Sequence, residues 1–249
     1  MAKLKGILKI HGTLDELTFY KTQDGHLVRT KGGVSGERIA NDPAFIRTRE
    51  NGAEFGSAAS AGKLLRNTVR PLMLNASDNR VTSRLTQVMT LIKNYDVTSP
   101  RGERSVADGI QDPAAKQLLK GFDFNSRAIL GTVLHASYNI SPTTGEISIA
   151  SFTPVSDLSV PAGATHVSLR SAFAIVDFAA GTGAIEYSPA TNLPIDGIAS
   201  PVTLTPAAVP AGTGTKMLLL MLEFFQEVNS VQYSLKNGAY NVLTIVAVV

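Results

Sequence analysis

Charge is split unevenly along this chain. Residues 1–130 hold 20 of the 23 Lys and Arg and 13 of the 20 acids, a net charge of +7. Residues 131–249 hold 3 bases and 7 acids, net −4. A back half of 119 residues with 10 ionised side chains has too few charges to clothe a free domain in water, so much of its surface is expected to face protein. The front half is basic and patterned for helix; from Phe122 onward the apolar residues follow an extended, strand-like rhythm instead. An α+β protein is therefore predicted, with a basic β-hairpin and helical region over 1–121 and an antiparallel β-sandwich over 122–249.

Within the front half, Ile7, Leu8 and Ile10, then Leu17 to Tyr20, then His26 to Thr30 read as short strands, and Asp24-Gly25 as a hairpin turn. Asp42-Pro43 supplies an N-cap followed by proline at the first helical position. Phe45, Phe55, Leu64, Leu65 and Val69 are expected to line the buried side of the helix that follows. Gly52, Gly56 and Gly62 each weaken it by about 1 kcal/mol relative to Ala, which predicts either two shorter helices or one whose glycines allow close packing. In the next helix, capped by Ser77 or Asp78, the positions Val81, Leu85, Val88, Met89, Ile92 and Tyr95 form an apolar face. Arg80, Arg84, Gln87 and Lys93 are expected on its opposite, solvated face. Asp112-Pro113 repeats the capping device for a short helix that Gly121 closes.

In the back half, strands are predicted over 127–140, 145–153, 165–178, 184–188, 201–206, 215–227, 230–236 and 240–249, the last two joined by a turn at Lys236, Asn237 and Gly238. Val160 to Gly163 and Val209 to Gly212 share the sequence Val-Pro-Ala-Gly, each leading into a long apolar strand. The repeat is expected to mark equivalent strands of two sheets.

Little in the sequence carries chemistry. Cysteine is absent, which excludes disulfides, thiolate metal sites and Cys nucleophiles. His11, His26, His135 and His166 are scattered, with no HExxH spacing, although His135 and His166 fall in strands that could meet. Gly56 to Lys63 imitates a phosphate loop but has five residues between its glycines, and Leu64 stands where a magnesium-binding hydroxyl belongs. No GxSxG elbow is present. Glu223 and Glu227 share one strand face, as on a solvated edge. Asn75 to Ser77 fits the glycosylation sequon, but Lys5 and Lys9 interrupt any apolar run of signal-peptide length. A cytoplasmic product is expected, one that could form part of a larger released assembly, with no catalytic residues, no cofactor and no metal. The apolar runs Met217 to Leu222 and Leu243 to Val249 are too short to span a membrane.

The run from Asp42 to Asn51, with Glu54 to Gly56, Ala61 to Arg66 and the later Pro161 to His166, resembles an uncharacterised family of bacterial proteins. The resemblance spans most of the chain and implies no activity, cofactor or site residue.

One functional signal remains, the basic density of Arg47, Arg49, Lys63, Arg66, Arg70, Arg80, Arg84, Arg101 and Arg104. The first seven are candidate contacts either to nucleic acid, through counterion release, or to an acidic face of another subunit. Opposite charge on the two halves, a sparsely charged tail and the lack of chemistry favour a non-enzymatic structural subunit. Such a chain assembles with copies of itself into a filament, tube or virion-like shell, aided by strand addition from its amino and carboxyl ends. The alternatives are a nucleic-acid-binding protein and a ligand- or carbohydrate-binding β-sandwich. The absence of Trp leaves the last without a good stacking platform.

Overall fold

The computed structural model describes residues 2–3, 10–23, 25–30, 32–235 and 240–249. Ile7, Leu8 and Asp24 of the expected first strands and hairpin, and the expected turn at Lys236, Asn237 and Gly238, lie outside the described residues. The fold is α+β, with every described strand pair antiparallel. It divides into two compact units, residues 1–49 and 50–249.

In the first unit, β1 (Ala2–Lys3), β2 (Gly12–Leu14), β3 (Leu17–Thr22) and β4 (Gly25–Thr30) form a sheet of order β1-β4-β3-β2. A short helix, α1 (Gly36–Asn41), follows, capped by the Ser35 hydroxyl. The Asp42 carboxylate accepts the Ala44 N–H and so starts a 3-10 turn, Pro43–Phe45, that runs into α2 (Ile46–Thr68). Among the described residues of this unit, Phe19 is the single buried apolar side chain, 9% exposed. Ile10, Leu14, Leu17 and Val34 are exposed.

The second unit holds most of α2, then α3 (Arg70–Met73), α4 (Val81–Ile92), α5 (Val106–Gly109), α6 (Pro113–Leu119) and α7 (Leu130–Val133). Next come β5 (Asn139–Ile140), β6 (Ile147–Phe152), α8 (Pro154–Asp157), β7 (His166–Asp177), β8 (Thr182–Tyr187) and β9 (Thr191–Pro194). The chain ends with β10 (Ser200–Leu204), β11 (Thr215–Val228), β12 (Val231–Ser234) and β13 (Val242–Val248). The segment 127–140, expected as one strand, is mostly irregular chain around the short α7, with only β5 at its end extended, and β9 was not foreseen. Asp112 and Pro113 start α6 as their chemistry requires, the Asp112 carboxylate accepting the Ala114 N–H.

Glycines do not break α2, which is one continuous helix of 23 residues. A Cβ at Gly52 or Gly56 would meet open space, whereas Gly62 is buried against Leu85 and Met89. Gly62 therefore sets how closely α2 approaches α4. Contacts of Glu54 with Lys93 and of Gly62 with Leu85 and Met89 make the two helices antiparallel.

Two sheets build the β part. One has six strands, with β7 and β11 at its centre; β8 and β9 flank β7, and β12 and β13 flank β11. The other has order β10-β6-β5. The two Val-Pro-Ala-Gly segments feed β7 and β11, which pair with each other from Thr215↔Val176 to Phe225↔His166. The repeat thus marks neighbouring strands of one sheet, not equivalent strands of two. Both faces of that sheet are covered. Met217, Leu219 and Met221 of β11 join Ala172, Ala174 and Val176 of β7 against Leu65, Leu85, Met89, Ile92 and Leu119 of the helices. Leu218, Leu220, Leu222 and Phe224 pack the other way, with Leu169 and Phe173, onto Ile147, Ile149, Val202 and Leu204 of the small sheet. With apolar partners on each face, alternation disappears from the sequence and Met217 to Leu222 reads as an unbroken apolar run. Ser171 joins the sheets directly, its hydroxyl donating to the Leu204 carbonyl at 3.0 Å.

Residues between 50 and 121 therefore share a core with strands beyond 121. The sparsely charged tail has much of its apolar surface buried by its own chain. Its carboxyl strand is also engaged within the chain along both edges. On one edge β13 pairs with β11. On the other it receives Gly121 N–H at the Ile245 carbonyl (2.7 Å) and Phe124 N–H at the Leu243 carbonyl (2.8 Å). Val249 closes the sheet by exchanging backbone hydrogen bonds with Lys216. Strand pairing on both edges leaves β13 little ladder to donate.

Candidate functional site

Two buried carboxylates organise the loop from Lys93 to Ser105. Glu54 projects from the inner face of α2, 2% exposed. Its Oε1 accepts from Arg104 Nε and Gly102 N–H, each at 2.8 Å, and its Oε2 from Arg104 Nη2 at 2.9 Å and from the Lys93 ammonium. The Arg104 hydrogen bonds, supported by Lys93 and Gly102 against the penalty of burial, hold Glu54 down to about 2. Asp96 is equally buried. Burial works to raise its pKa, but the amides of Ser105 and Ser99 and the Thr98 hydroxyl outweigh it and keep the carboxyl well below its usual range. A carboxylate that accepts this many hydrogen bonds is locked in its ionised form and has no proton to exchange with a substrate. These groups fasten α2 to the loop. Lys93, expected on the solvated face of α4, is 7% exposed because Glu54 draws it inward.

The predicted basic contacts fall into different roles. In the first unit, Arg49 donates to the Ile39 and Asp42 carbonyls, bracing the turn before α2, and Arg47 is exposed. In the second unit, Arg84 is consumed internally. It donates to the Asp78 carboxylate and to the Asp123 and Phe124 carbonyls, and lies over the Phe122 ring at 5.1 Å. Burial works against Asp78, but the Ser126 and Arg80 amides and Arg84 bring it down to about 2. Arg66 is half-buried beside Gly62, its Nη1 enclosed without an acceptor among the described residues. Lys63, Arg70 and Arg80 are exposed, with no ion-pair partner among the described residues. Lys63 opens onto a hollow of about 330 Å³ that it lines with Ser57, Ser60, Asn67 and Phe178. Arg101 and Arg104 bind Glu50 and Glu54. Of the seven candidates in the two units, Lys63, Arg70 and Arg80 thus remain open to a partner by geometry.

The other candidates resolve simply. Gly56 to Leu64 is uninterrupted helix, so its amides point along the helix axis and cannot cradle a phosphate. His135 bonds Ser159, while His166 bonds Thr165 and lies 3.6 Å from Glu227. No group of three or more His, Asp or Glu among the described residues could hold a metal ion. Burial raises the Glu223 pKa despite the nearby Arg170, so that carboxylate is less solvated than expected.

Nothing in the residue pattern points to a groove on the outside of the α2–α4 pair. Phe55, expected in the core, is 59% exposed there. It lines a groove of about 630 Å³ with Ala59, Thr82, Thr86, Gln87 and Leu91, among others. The helical phase explains the error: Phe55 follows the buried Glu54 by 100° of rotation and faces α4's flank, while Ala58, Leu65 and Val69 face the sheet.

The second unit is thus an α+β body in which one layer of helices and a small sheet enclose a central antiparallel sheet. No family model matches the chain, and no curated protein or solved structure matches it either. Among the described residues, no helix is long and apolar enough to cross a membrane.

Proposed function

We propose that this chain is a non-enzymatic structural subunit, made in the cytoplasm, that assembles with copies of itself into an ordered homo-oligomer such as a filament, tube or virion-like shell. The observation that carries this reading is the first unit. The described residues of its four-stranded sheet include one buried apolar side chain, and Leu14 is 61% exposed, so among those residues the sheet offers little of the hydrophobic face that small sheets need for stability. A neighbouring subunit would supply it. The carboxyl strand takes no part, since both its edges are paired within the chain.

Sedimentation velocity and negative-stain imaging of the purified protein are expected to show ordered particles that grow with concentration. A monodisperse monomer throughout the concentration range would overturn the proposal. Nucleic-acid binding is the second reading, favoured by the exposed and unpaired Lys63, Arg70 and Arg80. It requires retention on DNA or heparin at low salt that collapses as salt is added; passage straight through the column at low salt would dispose of it.

A further inference from the structure

We infer that the hollow beside Lys63 binds a small organic anion, one that carries a phosphate or carboxylate head and a single flat ring. Three separate stretches of the second unit build its walls: α2, the start of α5, and the turn from β7 to β8. Its volume, about 330 Å³, has room for a ligand of that size. Among the described residues that line it, Lys63 alone is charged. The carboxylates next to its walls along the chain are engaged elsewhere. Asp108 accepts the Ser105 hydroxyl, and Asp177 accepts the Ala179 and Ala180 amides and the Thr213 hydroxyl.

The donors of the hollow are arranged together and left free. Ser60, Lys63 and Asn67 recur at i, i+3 and i+7, which puts them on one face of α2. Their side chains, and that of Ser57, have no hydrogen-bond or ion-pair partner among the described residues. Other helical hydroxyls in this chain turn back on their own backbone: Thr68 donates to the Leu64 carbonyl at 3.1 Å, and Thr86 to the Thr82 carbonyl at 2.9 Å. Ser57 and Ser60 make no such bond, so their O–H groups are open to a ligand. An ammonium, two hydroxyls and an amide together suit anionic oxygens, with no lining carboxylate to repel them. Opposite these donors the wall is apolar, formed by Leu64, Val106 and Phe178. Phe178 is partly buried against the helical core and turns its remaining surface to the hollow. A flat ring packs there, stacked or edge-on. The cation and its donors select the head, and the aromatic wall selects the body.

Calorimetric titration of the purified protein with phenyl phosphate, benzoate, inorganic phosphate and benzyl alcohol tests this. Saturable binding of one phenyl phosphate or benzoate per chain is expected, and whichever binds more tightly identifies the head. Inorganic phosphate and benzyl alcohol, each lacking one half of the ligand, bind at least about tenfold more weakly. Lys63 is exposed, so Lys63→Gln keeps the wild-type thermal melt while weakening the ring-bearing anion by about tenfold or more. Phe178→Leu, which leaves an apolar side chain against the core, weakens it as well. No saturable binding of either ring-bearing anion, or an affinity that Lys63→Gln leaves unchanged, would overturn the site. So would inorganic phosphate or benzyl alcohol binding as tightly as the ring-bearing anions. None of these outcomes depends on association between chains, so failure here leaves the assembly proposal standing.

Discussion

Replacing Glu54 with alanine lowers the unfolding free energy by about 3–5 kcal/mol, measured by urea denaturation at neutral pH. The exchange removes the carboxylate paired with Lys93, which is 7% exposed, and takes from Arg104 the two hydrogen bonds it makes to Glu54. What costs so much is the charge left behind, an ammonium in the interior with nothing to balance it. The pH dependence has a definite sign. The Glu54 pKa falls from 4.5 in the unfolded chain to about 2 in the fold. Its stabilisation is therefore complete above pH 4.5 and disappears as pH falls toward 2. The gap between wild type and Glu54→Ala should narrow over that interval. Asp78 acts in the same direction, its pKa going from 3.8 to about 2, so the wild type itself also weakens in acid. A gap that stays constant from neutral pH to pH 2 would mean that the carboxylate is not the source of the effect.

Gly109→Ala is the second severe substitution. Gly109 ends α5 where that helix meets the end of α4, and a Cβ there would lie 2.2 Å from the Ile92 carbonyl oxygen and 3.2 Å from Lys93 Cα. Both are backbone atoms of a packed helix end, so no side-chain rotation relieves the clash. Overpacking of this kind costs about 1–3 kcal/mol, and more where backbone must move. The thermal midpoint of Gly109→Ala should fall by several degrees, whereas Gly52→Ala, which adds a methyl group in open space, should hold or raise it by improving helix propensity. Equal midpoints for the two variants would show that α5 is free to shift away from α4.

The helix caps at Asp42 and Asp112, the buried positions Val81, Leu85, Met89 and Ile92, and most of the long strands are legible in the sequence because each depends on neighbours within a turn or two of chain. The site was far less legible. Arg84 and Lys93 look like solvated cations on one helix face until the distant Asp123 and Phe124 carbonyls, together with the nearby Asp78, claim the first and Glu54 of α2 claims the second. Phe55 has the right residue type for a core position, and only the rotation of α2 about its axis, set by packing against the sheet and α4, turns it outward. The two Val-Pro-Ala-Gly segments announce two central strands without saying that those strands pair with each other.

By itself, then, local chemistry in the sequence determined the α+β class, the capped helices and the existence of a long apolar strand pair, since backbone preference and periodicity act over short distances. Tertiary structure alone decided what covers the sparsely charged tail. Its central sheet is sandwiched between the chain's own helices and a second sheet, and the carboxyl strand is paired along both edges. The physical reason is that burial and ion pairing are pairwise properties. A side chain's charge and shape are written in the sequence, but its partner is chosen only when distant segments compete for the same space.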